Sequence, residues 1–171
     1  MENEKPVNYK HNIHVYRDNG CTLCGSCKGL IKRVVLSVLL NEQVDKCCSV
    51  GVLVTDDFGI REYNRLYRGI DRATDVLSFP MQSFDTAGWN GHGKLEFDEE
   101  TGVLPLGDII ISMESVRRQA VEYNNTIKYE AAYLIIHSVL HLLGYDHEKK
   151  STEELMHKKT NLIMKETGFD I

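Results

Sequence analysis

Three things are missing from this chain, and each closes off a class of function. No apolar run is long enough to span a bilayer: the best candidate, residues 131–143, is interrupted by His137 and His141, whereas a spanning helix needs about 20 mostly apolar residues. The start, Met1-Glu2-Asn3-Glu4-Lys5, lacks the basic-then-apolar pattern of a secretion signal. A cytoplasmic protein with no membrane partner is expected. An excess of positive charge is also lacking. The formal net charge is −5, which argues against indiscriminate nucleic-acid binding through bulk charge but is compatible with a local basic patch. Lys28, Lys32 and Arg33 form one such group, and Arg61, Arg65, Arg68 and Arg72 another. Most of these are expected on solvated helix faces, and Arg68 alone stands out by its setting.

A second C-x-x-C is missing too. Cys21, Cys24 and Cys27 form C-x-x-C-x-x-C, and Cys47 and Cys48 are adjacent. Zinc or an iron–sulfur cluster would need a fourth ligand from Cys47, Cys48 or His14. With the pattern incomplete and the cytosol reducing, plain thiols are expected.

What is present is a histidine triple at the end of one apolar helix: His137-Ser138-Val139-Leu140-His141-Leu142-Leu143-Gly144-Tyr145-Asp146-His147. Residues four apart on a helix share a face, so His137 and His141 can hold one ion between them. Gly144 falls where the helix should stop, since glycine enters the left-handed region without a Cβ penalty. The reversed chain can then return His147 to the same point. Three neutral nitrogens leave a tetrahedral ion one open position, as in catalytic zinc sites that activate water. The flanking residues, from Ala131 to Leu143, are apolar almost all round, so the helix is expected to be buried. Buried imidazoles need partners for their nitrogens, and a metal supplies them.

The spacing is that of the metzincin proteases, H-E-x-x-H-x-x-G-x-x-H, but the glutamate that serves them as general base is Ser138 here. A serine hydroxyl is far too weak a base near neutral pH, so peptide hydrolysis becomes a minor alternative.

A chain of 171 residues, 42% hydrophobic and 26% charged, fits one compact soluble domain, with about ten N-terminal residues expected to be disordered. Alternation over Asn12 to Arg17 predicts a first strand. Leu30, Ile31, Val34, Val35, Val38 and Leu39 predict a helix from about Cys27 to Asn41, and valine-rich Cys48 to Thr55 a second strand. Asp56 and Asp57 can cap a helix that stops near Gly69. Val76 to Phe79 is the third expected strand, ended by Pro80, and Gly107 to Ile111 the fourth. Between them, Met81 to Leu104 is expected to be a long loop. Its Phe84, Trp89, His92 and Phe97 can either stack on bases or anchor the loop.

Three helices should follow. Ser112 caps the first, to about Tyr123; Thr126 caps the histidine helix, with Glu130 at its dipole; and Ser151-Thr152-Glu153-Glu154 is a capping box for the last. Met156, Leu155, Leu162 and Ile163 are spaced for core packing. The expected fold is α+β: a mixed four-stranded sheet packed with about five helices, the metal site on the central histidine helix.

Three motifs in order resemble the YbeY family of metal-dependent endoribonucleases, over about Leu53 to Phe169. The histidine segment is similar to that family's H-G-x-L-H-L-x-G-Y-D-H. The stretch Arg68-Gly69-Ile70-Asp71-Arg72-Ala73-Thr74-Asp75-Val76-Leu77-Ser78-Phe79-Pro80 is similar to R-x-x-D-x-x-T-D-V-L-S-F-P, and Leu106 to Ser112 to L-G-D-I-x-I-S. Ser138 departs from the family's glycine, and the cysteine-rich segment is not part of the pattern.

The resemblance implies one zinc ion on His137, His141 and His147, and Arg68 as the arginine needed for ribonuclease activity. It further implies cleavage of single-stranded RNA, maturation of the 3′ end of small-subunit ribosomal RNA, and a part in ribosome quality control, with the small ribosomal subunit as partner. The competing reading is a non-catalytic assembly factor whose metal is structural. No carboxylate sits beside the metal by helical geometry, so metal-activated water or the RNA's 2′-hydroxyl must act in its place. Asp108 and Asp146 are candidates to orient the imidazoles. Asp75 should fix the turn before the third strand, and Ser78 line the groove.

Overall fold

A computed structural model describes residues 10–18, 27–89, 91, 94–146 and 150–169, the side chains of Lys150 and Ser151 apart. The N-terminal stretch expected to be disordered lies, but for Lys10, outside the described residues. Among those described, the order is β1 (Asn12–Arg17), α1 (Cys27–Asn41), β2 (Cys48–Thr55), α2 (Asp57–Arg68), β3 (Val76–Pro80), β4 (Leu104–Ser112), α3 (Met113–Glu122), α4 (Ile127–Leu142) and α5 (Lys150–Glu166). This is the expected α+β architecture: one mixed sheet of four strands, ordered β1-β2-β4-β3, with five helices.

β1, β2 and β4 run parallel, and β3 pairs antiparallel with β4 at the edge. Parallel neighbours need helical crossovers, which α1 and α2 supply on opposite faces. On one face Ile13, Val15, Val50, Val52, Val54, Ile109 and Ile111 alternate inward against α1 and α4, on which α5 packs in turn. Each such fully buried aliphatic side chain contributes about 1.5–3 kcal/mol. On the other face Ile60 of α2 closes a smaller cluster with Leu77 and Ile110.

α4 is the central helix, touching α1, α3, α5, β3 and β4. Being enclosed on most sides, it is apolar almost all round. Thr126 caps it, its Oγ1 accepting from the Tyr129 amide at 3.1 Å. Gly144 turns the chain at φ +85°, and a Cβ there would lie 3.1 Å from the Phe84 ring.

Four boundaries and placements differ from expectation. β4 starts at Leu104, three residues before Gly107, because a bulge opposite Ser49 and Val50 absorbs Leu106 and lets pairing continue through Pro105. α5 already contains Lys150 and Ser151, so Ser151 is not its cap; Thr152 instead donates from Oγ1 to Asp146 Oδ1 at 3.0 Å. Met156 and Ile163 are core residues, but Leu155 and Leu162 face solvent. Glu130 is buried and accepts from Asn125 Nδ2 at 3.1 Å, a tie beyond its place at the helix dipole.

The described residues of the loop after β3 form no strand. Phe84 and Trp89 anchor it: they meet edge to face at 6.0 Å, pack on the core, and Trp89 Nε1 donates to Asp45 Oδ1 at 3.0 Å. His92 lies outside the described residues.

Candidate metal centre

His137 and His141 occupy successive turns near the end of α4. Their rings meet edge to face, centroids 4.8 Å apart and planes at 88°. After the Gly144 turn the chain folds back, with the Tyr145 amide donating to Leu140 O at 3.1 Å. The Tyr145 carbonyl then lies 2.7 Å from His141 Nδ1. A carbonyl can only accept, so Nδ1 carries a proton; in the neutral ring this leaves the lone pair on Nε2, the form in which imidazole ligates a metal. The donor chemistry therefore fits zinc. His147, the third expected ligand, lies outside the described residues. Among the described residues, which hold two of the three histidines, there is no group of three His, Cys, Asp or Glu able to hold an ion.

The two histidines open into a cleft of about 780 Å³, lined also by Arg68, Asp75, Ser78 and Tyr133. Arg68 arrives from a different helix. Asp56 caps α2, its Oδ1 accepting from the Gly59 amide at 2.8 Å. Asp57 ties that end to α3 by accepting from Ser112 Oγ at 2.6 Å, Ser115 Oγ at 2.8 Å and Arg118. Burial pushes Asp57 up, but those donors outweigh it and hold its carboxyl below the usual carboxylate value. Arg61 is committed to Asp71 at 2.6 Å and Arg65 to Glu62 at 2.7 Å. The Arg68 side chain, at the last position of α2, forms no hydrogen bond or ion pair with another described residue, and it lines the cleft together with Asp75 and Asp146.

Asp75 does fix its turn: Oδ1 accepts from the Val76 amide at 2.8 Å and Oδ2 from Gln119 at 2.9 Å. Asp146 lines the cleft. Asp108 does not. It lies on the opposite face of the sheet, in a hollow with Tyr16, Tyr67 and Phe79, so the expectation that it orients an imidazole is corrected. The side-chain period of two decides its face, and Ile109 and Ile111 take the α4 side.

Cys21 and Cys24 lie outside the described residues. Cys47 Sγ donates to Lys10 O at 3.0 Å. The Cys48 thiol is pushed up to about 12, first by burial and then by Cys47 and Asp45, which suits an inert core thiol.

Two participants escaped the sequence reading. Tyr133 stacks on His137 at 6.2 Å and bonds His157 Nδ1 through its hydroxyl at 3.2 Å. It precedes His137 by four positions, so helical spacing alone could have placed it there. The Tyr145 carbonyl carried no such signal, because a backbone acceptor is not visible in residue types.

The family model described as endoribonuclease YbeY matches residues 17–168. The endoribonuclease YbeY of Caldanaerobacter subterraneus subsp. tengcongensis is 40% identical over 142 residues, 83% of this chain and 88% of the relative. That of Agathobacter rectalis is 42% identical over 140 residues, 80% of this chain and 85% of the relative. Among solved structures, the solution structure of TM1509 from Thermotoga maritima is similar at a TM-score of 0.54 and 28% identity, over 90% of each chain.

Proposed function

This chain belongs to the endoribonuclease YbeY family, and from that premise we propose a zinc-dependent hydrolase that cleaves single-stranded RNA, with the ion on His137, His141 and His147. Its substrate is the RNA of the small ribosomal subunit, whose 3′ end it helps to mature, and it serves ribosome biogenesis and quality control in the cytoplasm. One observation carries the reading: Arg68 and the two described histidines, from helices on opposite faces of the sheet, line one cleft. No helix among the described residues is long and apolar enough to cross a membrane.

When bound, zinc supplies Lewis acidity and activates water near neutral pH. Arg68 presents a planar fork that matches phosphate and stays charged, so it binds and orients the scissile group. Tyr145 keeps the proton on His141 Nδ1. Tyr133, stacked on His137, restricts that ring's rotation. Asp75 and Asp146 are committed to neighbouring donors, and neither is placed as a general base. Ser138, at the position of the protease glutamate, is fully buried on the core side of α4, which removes support from a peptidase reading.

Metal analysis and single-stranded RNA cleavage by wild type, Arg68→Ala and His141→Ala test the proposal. Wild type and Arg68→Ala should hold one zinc, and His141→Ala should lose it. Turnover of Arg68→Ala should fall about a hundredfold or more with its melting temperature unchanged. Equal cleavage by Arg68→Ala and wild type would overturn the site; zinc without cleavage in the wild type would favour the assembly-factor reading.

A further inference from the structure

Outside the cleft that the histidines line lies an ion pair between Glu42 and Lys159. Glu42 directly follows α1, and its side chain is only 3% exposed. Oε2 accepts the Tyr145 hydroxyl at 2.7 Å, and Oε1 accepts from Lys159 Nζ of α5 at 2.6 Å. The same ammonium lies 5.6 Å from the centre of the Tyr145 ring. The loop after β3 closes the arrangement, with the Gly88 amide donating to Leu143 O at 3.0 Å. A Cβ at Gly88 would stand 2.5 Å from the Tyr145 oxygen, so only glycine lets the phenol through to the carboxylate. Tyr145 is thus gripped at its phenol by three segments, while its carbonyl holds His141.

An ion pair with its carboxylate buried is a weak device for stability, since desolvation offsets much of the attraction. Fixing a side chain in one direction is what such a pair does well. We propose that Glu42 and Lys159 are positioning residues for His141: they fix Tyr145, and its carbonyl fixes the ring orientation and tautomer of the imidazole. This rests on the reading of His141 as a metal ligand. It makes zinc affinity depend on a carboxylate just past the end of α1, in a pocket other than the one the histidines line.

The full-length chain tests this with zinc alone, by chelator competition, and with ¹⁵N resonances of the histidine rings in metal-free protein, at a pH where imidazole is neutral. Tyr145→Phe removes one oxygen and leaves the carbonyl in place; Glu42→Gln keeps the shape and removes the charge. Both should weaken zinc binding by about ten- to a hundredfold, and both should turn the Nδ1–H form of His141 into a mixture of tautomers. Unchanged affinity and an unchanged tautomer in Tyr145→Phe would overturn the proposal, even if the melting temperature fell. Should Glu42→Gln not fold, Tyr145→Phe decides alone. A wild type that binds no zinc would sink the metal reading instead, and the tautomer measurement would still judge the positioning role.

Discussion

Ser138 shows how much one atom can reveal. Its hydroxyl is fully buried in α4 and finds no hydrogen-bond partner among the described residues. An unsatisfied buried hydroxyl costs about 1–3 kcal/mol, and alanine is the better helix former by a few tenths. Ser138→Ala should therefore stabilise the protein by about 1 kcal/mol and raise the melting temperature by about 2–4 °C, with RNA cleavage unchanged. A lower melting temperature in a thermal scan would show that the hydroxyl has a partner. At this scale the chemistry of the chain was partly legible. His137 and His141 stood out because two imidazoles one turn apart on an apolar helix want a shared ion, and Arg68 because it opens a motif rather than a solvated face. Glu42 did not, since nothing in its neighbourhood announces a partner 103 residues away.

At the scale of elements, the junction of α2 with α3 sets where Arg68 can stand, and Asp57 is its pin. Its folded-state pKa is depressed. The resulting stability is thus fully present above the unfolded value of about 3.9 and is lost as pH falls through the folded value. Asp57→Asn should cost about 1–3 kcal/mol at neutral pH, because it removes a charged acceptor of three donors. It should also flatten the acid limb below about pH 4. A denaturant titration across pH 2–7 checks both, and parallel curves for the two proteins would refute the assignment. Element identity was readable where periodicity was clean, as in α1, α4 and β2. The start of β4 was not, because Pro105 resembles a strand break and only pairing with β2 exposes the bulge that accommodates it. The capping box expected to open α5 lies one residue inside it for a related reason: Ser-Thr-Glu-Glu suits a first helical turn as well as a cap.

For the whole molecule, zinc should couple to stability. A ligand that binds only the folded chain adds about 2.7 kcal/mol at a hundred times its dissociation constant, or about 5–10 °C in a protein of this size. Chelator should reverse the gain, and His141→Ala should show neither change. The sheet order was not legible in the strand patterns, which specify faces but not neighbours. That order has one more consequence. β3 is the selvedge of the sheet, α2 lies on one side of it and α4 on the other, and Arg68 and the histidines reach the cleft from those two sides. Under the proposed reading, whatever engages both lies in the cleft along that margin and meets the arginine and the imidazoles from the two layers at once. An unpaired polynucleotide, free to follow that margin, suits such a place.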